Sequence, residues 1–342
     1  MIQEQEGKYK GFRKIIKEYM EFKFSTIHEF NDHFRDEKSC YDFLENQRWD
    51  KVPVCPHCGN EEYYIVKPRG KFKDIPSYRC KNRGCDLPFS ARTNTIFQGS
   101  QVELRKWFQA IYEISTSKKG ISSIELSIRI GVSQKTAWFM NHRIREMLRE
   151  TSPEMLQGTI EVDETFVGGK NKNRHEHKKI KGSQGRSAAD KTPVVGLLQR
   201  GGRVVTYVTR DTDASTLQWL IRKNVAQEAI VITDGYRSYN GLQQIYDHVK
   251  VKDEGNNYVI KRGDHKFHTN NIENFWSQLK RGYVGIYHFM SPKHLHRYCE
   301  EFASRYNNRG ITNLDRFSLA LKHCSGKRLT YEKLTESHDV AA

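Results

Sequence analysis

The sequence predicts a multidomain chain: a small α+β module closed by four cysteines, a helical helix-turn-helix segment, and then an α/β domain with a mixed sheet. Three observations carry this. Cys55-Pro-His-Cys58 and Cys80-Lys-Asn-Arg-Gly-Cys85 form two thiol pairs separated by 21 residues. Residues 101–150 repeat apolar side chains at helical spacing. From 158 onward, short apolar runs alternate with turn residues and helical patterns, the texture of an α/β domain.

Composition narrows the partner. The chain has 342 residues, with 57 Lys+Arg against 41 Asp+Glu and a net charge of +16. Such an excess points to a polyanion, and nucleic acid leads because its phosphates attract Lys and Arg through counterion release. At roughly 150 residues per domain, two or more domains are expected. With 17 Tyr, 17 Phe and 5 Trp there is material for cores, which excludes a wholly disordered chain. No stretch approaches the ~18–20 apolar residues of a membrane span. The opening MIQEQEGKYKGFRKII lacks the apolar core of a signal peptide. The seven cysteines are an odd number, so a reducing cytoplasm is expected, with no membrane association and no disulfide framework.

The elements follow in order. Residues 1–53 read as a helical N-terminal region, with Phe30, Phe34, Cys40, Phe43, Leu44 and Trp49 on an apolar face. Residues 54–95 read as a zinc ribbon. Cys55, Cys58, Cys80 and Cys85 supply the four thiolates of a structural tetrahedral Zn²⁺ site, and Gly59 allows the tight turn of the first knuckle. His57 is a bystander, since four sulfurs already close the site. Cys40, Cys299 and Cys324 stand alone and are expected as buried apolar residues. Residues 100–150 read as the helix-turn-helix. Gly131-Val132 makes the turn, and Ser133 caps a second helix carrying Ala137, Trp138, Met140, Ile144 and Leu148 inward. That helix is expected to present Gln134, Lys135, His142, Arg143 and Arg145 to a DNA major groove. Ser152-Pro153 marks a linker. In 158–325, strands are expected at 159–162, 192–198, 203–209 and 229–233, with helices at 215–225, 270–281 and 292–306. Gly201-Gly202 closes a hairpin, and 326–342 is a tail.

Two strands end in aspartate: Ile160-Glu161-Val162-Asp163 and Ile230-Val231-Ile232-Thr233-Asp234-Gly235. A carboxylate at the end of a buried strand needs compensation, and a divalent cation or a turn cap supplies it. A third element, Asn270 to Arg281, reads as a helix. It sets Glu273 and Lys280 two turns apart on one face, with Asn270 one turn before Glu273, while Ile272, Phe275, Trp276 and Leu279 form the packing stripe. Together these residues suit a two-metal phosphoryl-transfer site. Asp163 and Asp234 are its core Mg²⁺ (or Mn²⁺) ligands, Glu273 completes the set, and Lys280 meets substrate phosphate.

The motifs CPHCG, YRCKNRGC, VSQKTAWFMNHRIR, VDETFVGGK, KTPVVGLL, VITDGYRSY, HTNNIENFWSQLKRG and HRYCEEFASRYNNR, in that order, resemble the DDE insertion-sequence transposases that carry an N-terminal zinc ribbon and a helix-turn-helix. The resemblance covers roughly residues 30–325. It implies an RNase H-like catalytic fold, recognition of the element ends, and Mg²⁺-dependent cleavage followed by strand transfer into target DNA. Asp163 and Asp234 carry over as the first two catalytic carboxylates. For the third, Glu273 is preferred for its seven-residue step to Lys280, with Asn270 the alternative or an auxiliary ligand. Double-stranded DNA is the expected partner, with the protein assembled on it as a homo-oligomer.

The basic segment 170–191, with eight Lys/Arg against two acids, follows Asp163 and reads as a flexible loop contacting phosphates near the catalytic metals, through residues such as Lys178, Lys179 and Lys181. Arg297, Arg305 and Arg309 either brace the active site or touch the DNA backbone. Two other readings stay open: a non-enzymatic DNA-binding regulator, and an RNase H-like nuclease without strand transfer.

Overall fold

The computed structural model describes residue 24 and residues 26–50, 52–67, 75–150, 154–169, 171–181, 190–251, 259–263 and 265–336; for Lys172 and Lys178 it describes the backbone alone. The linker expected at Ser152-Pro153, most of the 1–53 region before Phe24, residues 182–189 of the basic segment and the last six residues of the tail lie outside this set. The chain divides into two compact units.

The first unit gathers residues up to Thr116 with 128–132 and 311–329. Helix α1 (Ile27–His33) opens with a capping box in which Thr26 accepts from Glu29 N and Glu29 reaches back. Helix α2 (Glu37–Trp49) repeats the device with Asp36 and Ser39, so each start satisfies its own orphan N–H groups. The ribbon is a three-stranded antiparallel sheet of β1 (Tyr63–Val66), β2 (Ser77–Cys80) and β3 (Pro88–Phe89). Helix α3 is Leu104–Thr116, and its first N–H groups donate to the Glu37 carboxylate. Phe24, Phe30, Phe34, Phe43, Phe108 and Phe317 pack edge to face into one aromatic core, a geometry that adds to area burial. Cys40 and Cys324 are buried within this unit and Cys299 within the second.

The helical stretch that follows contains α4 (Ser123–Ile130) and α5 (Gln134–Leu148). Ser133 caps α5 by accepting from Thr136 N. Leu126 is buried, but Ile124 and Ile128 are exposed, so the first helix hides less of its apolar face than its periodicity suggests.

The second unit is built on a five-stranded mixed sheet. Its strands are β4 (Thr159–Val167), β5 (Thr192–Gln199), β6 (Val204–Val208), β7 (Ile230–Thr233) and β8 (Asp247–Lys250), in the order β6-β5-β4-β7-β8. β4, β5 and β6 pair antiparallel, and β4, β7 and β8 pair parallel. Gly201, at φ 69°, turns the β5–β6 hairpin, and β9 (Ile260–Arg262) and β10 (His265–Phe267) form a separate antiparallel pair. Helix α6 (Ala214–Asn224) covers one face, packing Leu217, Leu220 and Ile221 on Ile160, Val162, Val195 and Val231. Helices α7 (Asn270–Gly282) and α8 (Leu295–Asn307) cover the other with Ile272, Phe275, Trp276, Leu279, Cys299 and Phe302. Period-two alternation along β4 assigns the faces. Of the remaining α-helices, α9 (Asn313–Lys322) belongs to the first unit and α10 (Tyr331–Thr335) to the second.

One strand departs from its sequence reading. The apolar run ends at Val162, yet β4 continues to Val167. Asp163 therefore stands in mid-strand, paired with Gly196. Pairing with β5, which continues from Ile160 to Val167, rather than side-chain hydropathy, extends the strand through three polar residues.

Candidate active site

Register places the two aspartates. β4 and β7 run parallel with Glu161 opposite Ile232. Two residues further along each chain come Asp163 and Asp234, on the same face because side chains alternate with period two. Asp234 follows the last residue of β7 and turns the chain, its Oδ1 accepting from Tyr236 N at 2.9 Å. The turn-cap reading thus describes one of its oxygens.

Helix α7 crosses this face. Opposite Asp163, Gly196 leaves the space that the helix needs: a Cβ there would sit 2.6 Å from Trp276 and 2.8 Å from Ile272. Trp276 Nε1 donates to Asp163 Oδ2 at 3.1 Å. The packing stripe read in the sequence therefore also supplies an orienting donor, which its hydrophobic period does not reveal. Glu273 accepts from Thr269 Oγ1 at 2.8 Å. Burial, with the charges of Glu164, Asp234 and Glu273 adding to it, pushes the Asp163 carboxyl up to about 7. Crowded carboxylates behave this way when no cation offsets them.

Asp163, Asp234, Glu273 and Lys280 line one cleft of about 1300 Å³. Asn270 is exposed at the first residue of α7 and is not among the lining residues. Lys119 and Arg281 line it too; the sequence reading passed over both. The donor set is all oxygen, which fits a hard divalent cation.

The start of α7 is held from below by Glu161, two residues before Asp163 and fully buried. Its carboxylate accepts from Asn271 N at 2.9 Å, Asn271 Nδ2 at 2.8 Å and Ile272 N at 3.1 Å. Arg200 Nε donates to it at 2.7 Å, and the same guanidinium reaches the carbonyls of Lys266 and His268. An anion at a helix N-terminus is favoured by the unpaired N–H groups and the dipole. The signal in the sequence was an acid two residues from Asp163, hence on its face.

The ribbon gathers its four cysteines. Among the described residues they are the one set of three or more metal-binding side chains whose ligand atoms converge, all within 4.8 Å of one another. Cys58 Sγ and Cys80 Sγ are 3.5 Å apart, and Cys55 Sγ and Cys85 Sγ 3.9 Å. Zn–S bonds of ~2.3 Å in a tetrahedron require sulfur separations of about 3.8 Å, so the set is consistent with structural zinc. Gly59 takes φ 77° in the first knuckle. The carboxylates of Asp163, Asp234 and Glu273 do not form such a converging set.

The expected groove-facing residues separate into two groups. Gln134 and Lys135 are exposed. His142, Arg143 and Arg145 are buried, which corrects their outward assignment. His142 lies against Trp138, His294 and Tyr298, and burial pushes its pKa far down, so the ring is neutral. Arg143 stacks over Phe139. Arg145 pairs with Glu301 at 2.5 Å and stacks on Tyr298. The physical reason is that α8 covers this part of α5, so its later turns face Tyr298 and Glu301 rather than solvent.

Of the basic segment, Lys179 pairs with Glu176 at 2.6 Å and Lys181 is exposed. The backbone of Lys178 ends a 3₁₀ turn, Glu176–Lys178. Neither Lys179 nor Lys181 is among the residues lining the cleft. The C-terminal arginines brace the protein: Arg297 pairs with Glu146, Arg305 with Glu301, and Arg309 stacks on Tyr306.

Comparison with known proteins agrees with this layout. Residues 155–307 match the ISXO2-like transposase domain, and residues 35–86 the transposase zinc-ribbon domain. The chain is 30% identical over 284 residues to an uncharacterized protein in transposable element ISH50 of Halobacterium salinarum, covering 80% of this chain and 91% of that one. An uncharacterized transposase-like protein of Haemophilus influenzae is 29% identical over 110 residues, 32% of this chain and 85% of that protein. A Mos1 transposase paired-end complex with the left transposon end aligns over 81% of this chain and 93% of its own at 12% identity, with a TM-score of 0.19, too low to weigh. The ribbon, the mixed-sheet domain behind it and a relative matched over nine-tenths of its length place the chain among the ISXO2-like DDE transposases with an N-terminal zinc ribbon, the transposases of insertion-sequence elements.

Proposed function

We propose that this transposase binds the ends of its element as double-stranded DNA, cleaves them and joins the freed 3′ hydroxyls to target DNA. One observation carries the reading: neighbouring parallel strands set Asp163 and Asp234 side by side in a cleft that also holds Glu273 and Lys280. The catalytic domain, residues 158–325, is read as RNase H-like. Asp163, Asp234 and Glu273 would hold two Mg²⁺ or Mn²⁺ ions. When bound, such ions activate the attacking oxygen and stabilise the leaving one.

The protein's own residues do the rest. Trp276 holds one oxygen of Asp163 in place. Thr269 orients Glu273. Glu161 and Arg200 hold the N-terminus of α7, so that Glu273 and Lys280 keep their spacing. Lys280 meets a substrate phosphate as a point charge. Glu273 lines the cleft and Asn270 is not among its lining residues, which favours Glu273 as the third ligand.

The helices at 123–130 and 134–148 are read as the helix-turn-helix of a 100–150 DNA-binding domain, with Gln134 and Lys135 at the groove. Lys178, Lys179 and Lys181 are read as phosphate contacts. The ribbon, residues 54–95, would be closed by Zn²⁺. Action on two ends calls for a homo-oligomer on DNA. Among the described residues no helix is long and apolar enough to cross a membrane, and the protein is read as cytoplasmic, at the nucleoid.

The test is metal-dependent cleavage and joining of duplexes copied from the DNA flanking the gene. Asp163→Asn and Asp234→Asn are expected to abolish both. Equal activity in these variants overturns the mechanism. Glu273→Gln is expected to lose cleavage while Asn270→Ala keeps most of it, and the reverse result transfers the third ligand to Asn270.

A further inference from the structure

The segment before α4 enters the catalytic cleft. Lys119 lines it together with Asp163, Asp234, Glu273, Lys280 and Arg281. The backbone around Lys119 is fixed at three points. Arg305 Nε donates to Ser117 O at 2.8 Å. Gly120 takes φ +95°, and a Cβ there would lie 2.1 Å from Tyr287 Oη. A Cβ on Gly282, in the last turn of α7, would lie 3.2 Å from the Lys119 carbonyl and 2.2 Å from Phe302. Two glycines thus allow backbone approaches that any side chain would block.

Behind this segment lies a buried polar network. Glu301 accepts from Arg145 Nε at 2.5 Å and from Tyr287 Oη at 2.5 Å, and Arg305 pairs with it as well. Burial works to raise the Glu301 carboxyl, but Arg305 and Arg145 outweigh it and hold it at about 2. Three charged side chains taken out of water carry a large desolvation cost, so such a network is weak evidence for stability. Its members here meet the backbone that carries Lys119: Arg305 through Ser117, and Tyr287 through Gly120.

We propose that Lys119 is a DNA-phosphate contact of the catalytic cleft, held in position by the Glu301 network. This rests on the function proposed above. A lysine opposite a carboxylate cluster suits a phosphodiester that the carboxylates approach through their cations. With Lys280 and Arg281 it forms a cationic wall on the α7 side. The chain leading into α4 thereby reaches the reacting DNA as well.

The experiment uses the full-length protein and a fluorescein-labelled duplex copied from the gene's flanking DNA. Binding is measured over a KCl series, and single-turnover cleavage is measured in Mg²⁺. Lys119→Ala is expected to flatten the slope of log K against log salt by about 0.9, one phosphate. It is also expected to slow cleavage by about 10- to 100-fold. Lys119→Arg should keep the slope. Gly120→Ala, which displaces the segment without removing charge, should slow cleavage too. Combined with Lys119→Ala it should cost no more than the single change, since both act on one contact.

Wild-type slope and wild-type cleavage in Lys119→Ala overturn the proposal while leaving the transposase reading intact. If the wild-type protein itself cleaves no better than Asp163→Asn, the functional reading fails, and Lys119 falls with it. A slope change in Lys119→Ala that Gly120→Ala does not share in its cleavage rate keeps the phosphate contact and overturns the role of the network.

Discussion

At the residue scale the decisive group is Asp163. It is mid-strand, bonded to Trp276, and raised to about 7 by burial and its acidic neighbours. A raised carboxyl contributes stability that is present below the unfolded value of 3.8 and lost as pH rises through 7. The charge that would ligate metal in the proposed mechanism thus costs stability when no cation offsets it. Asp163→Asn is expected to melt higher than the wild type by a few degrees in EDTA at pH 8, about 2–4 °C per kcal/mol for a domain of this size. At pH 4 the gap should close. Mg²⁺ should raise the wild type alone, as differential scanning fluorimetry would show. A mutant that melts lower at pH 8 contradicts this account of the burial. The candidate ligands were legible in the sequence because Asp163 and Asp234 follow apolar runs and Glu273 stands two helical turns before Lys280. The donor from Trp276 was not, since an indole on a packing stripe looks the same whether or not its N–H finds a carboxylate.

At the element scale, α7 is the part that has to be placed. Its spacing sets Glu273 and Lys280 on one face, and that much is local geometry. Its height above the sheet depends on Gly196, and its N-terminus depends on Glu161 and Arg200. Gly196→Ala would push a methyl into Trp276 and Ile272, an overpacking of ~1–3 kcal/mol. The expected outcome is a folded protein with a lower urea midpoint and much reduced cleavage. Unchanged cleavage would show that the contact between Trp276 and Asp163 is dispensable. Glu161→Ala removes one partner of a buried ion pair and uncaps α7, a loss of ~3–5 kcal/mol. Helix α5 teaches the opposite lesson. Its basic residues look outward on a wheel, yet Arg145 and His142 are inside. A sequence shows which residues share a face, but not how many neighbours the helix has.

At the scale of the whole molecule, two anchors respond to different conditions. Glu301, held at about 2 against an unfolded 4.5, contributes stability that is present above 4.5 and lost as pH falls towards 2. Acid unfolding of the catalytic unit should therefore deepen between pH 4.5 and 2, and Arg145→Met together with Glu301→Leu should flatten that limb in circular dichroism. The ribbon depends on thiolate ligation instead. A strong chelator at pH 7 is expected to unfold residues 54–95 and leave the mixed-sheet unit protected in hydrogen exchange, because small zinc modules draw their folding free energy from the metal. Ribbon protection that survives demetallation would contradict this.

The sequence by itself determined the ribbon, the element order and the identity of the candidate acids. These are local properties: ligand spacing, hydrophobic period, and an acid at the end of an apolar run. Only the tertiary structure decided that β4 runs through Asp163, that Glu161 serves the start of α7, that Arg145 is structural, and that Lys119 shares the cleft with residues far along the chain. Each of these is a relation between segments, fixed by strand register and by the closeness that Gly196, Gly120 and Gly282 permit. No single stretch of sequence encodes a distance to a partner that has yet to fold against it.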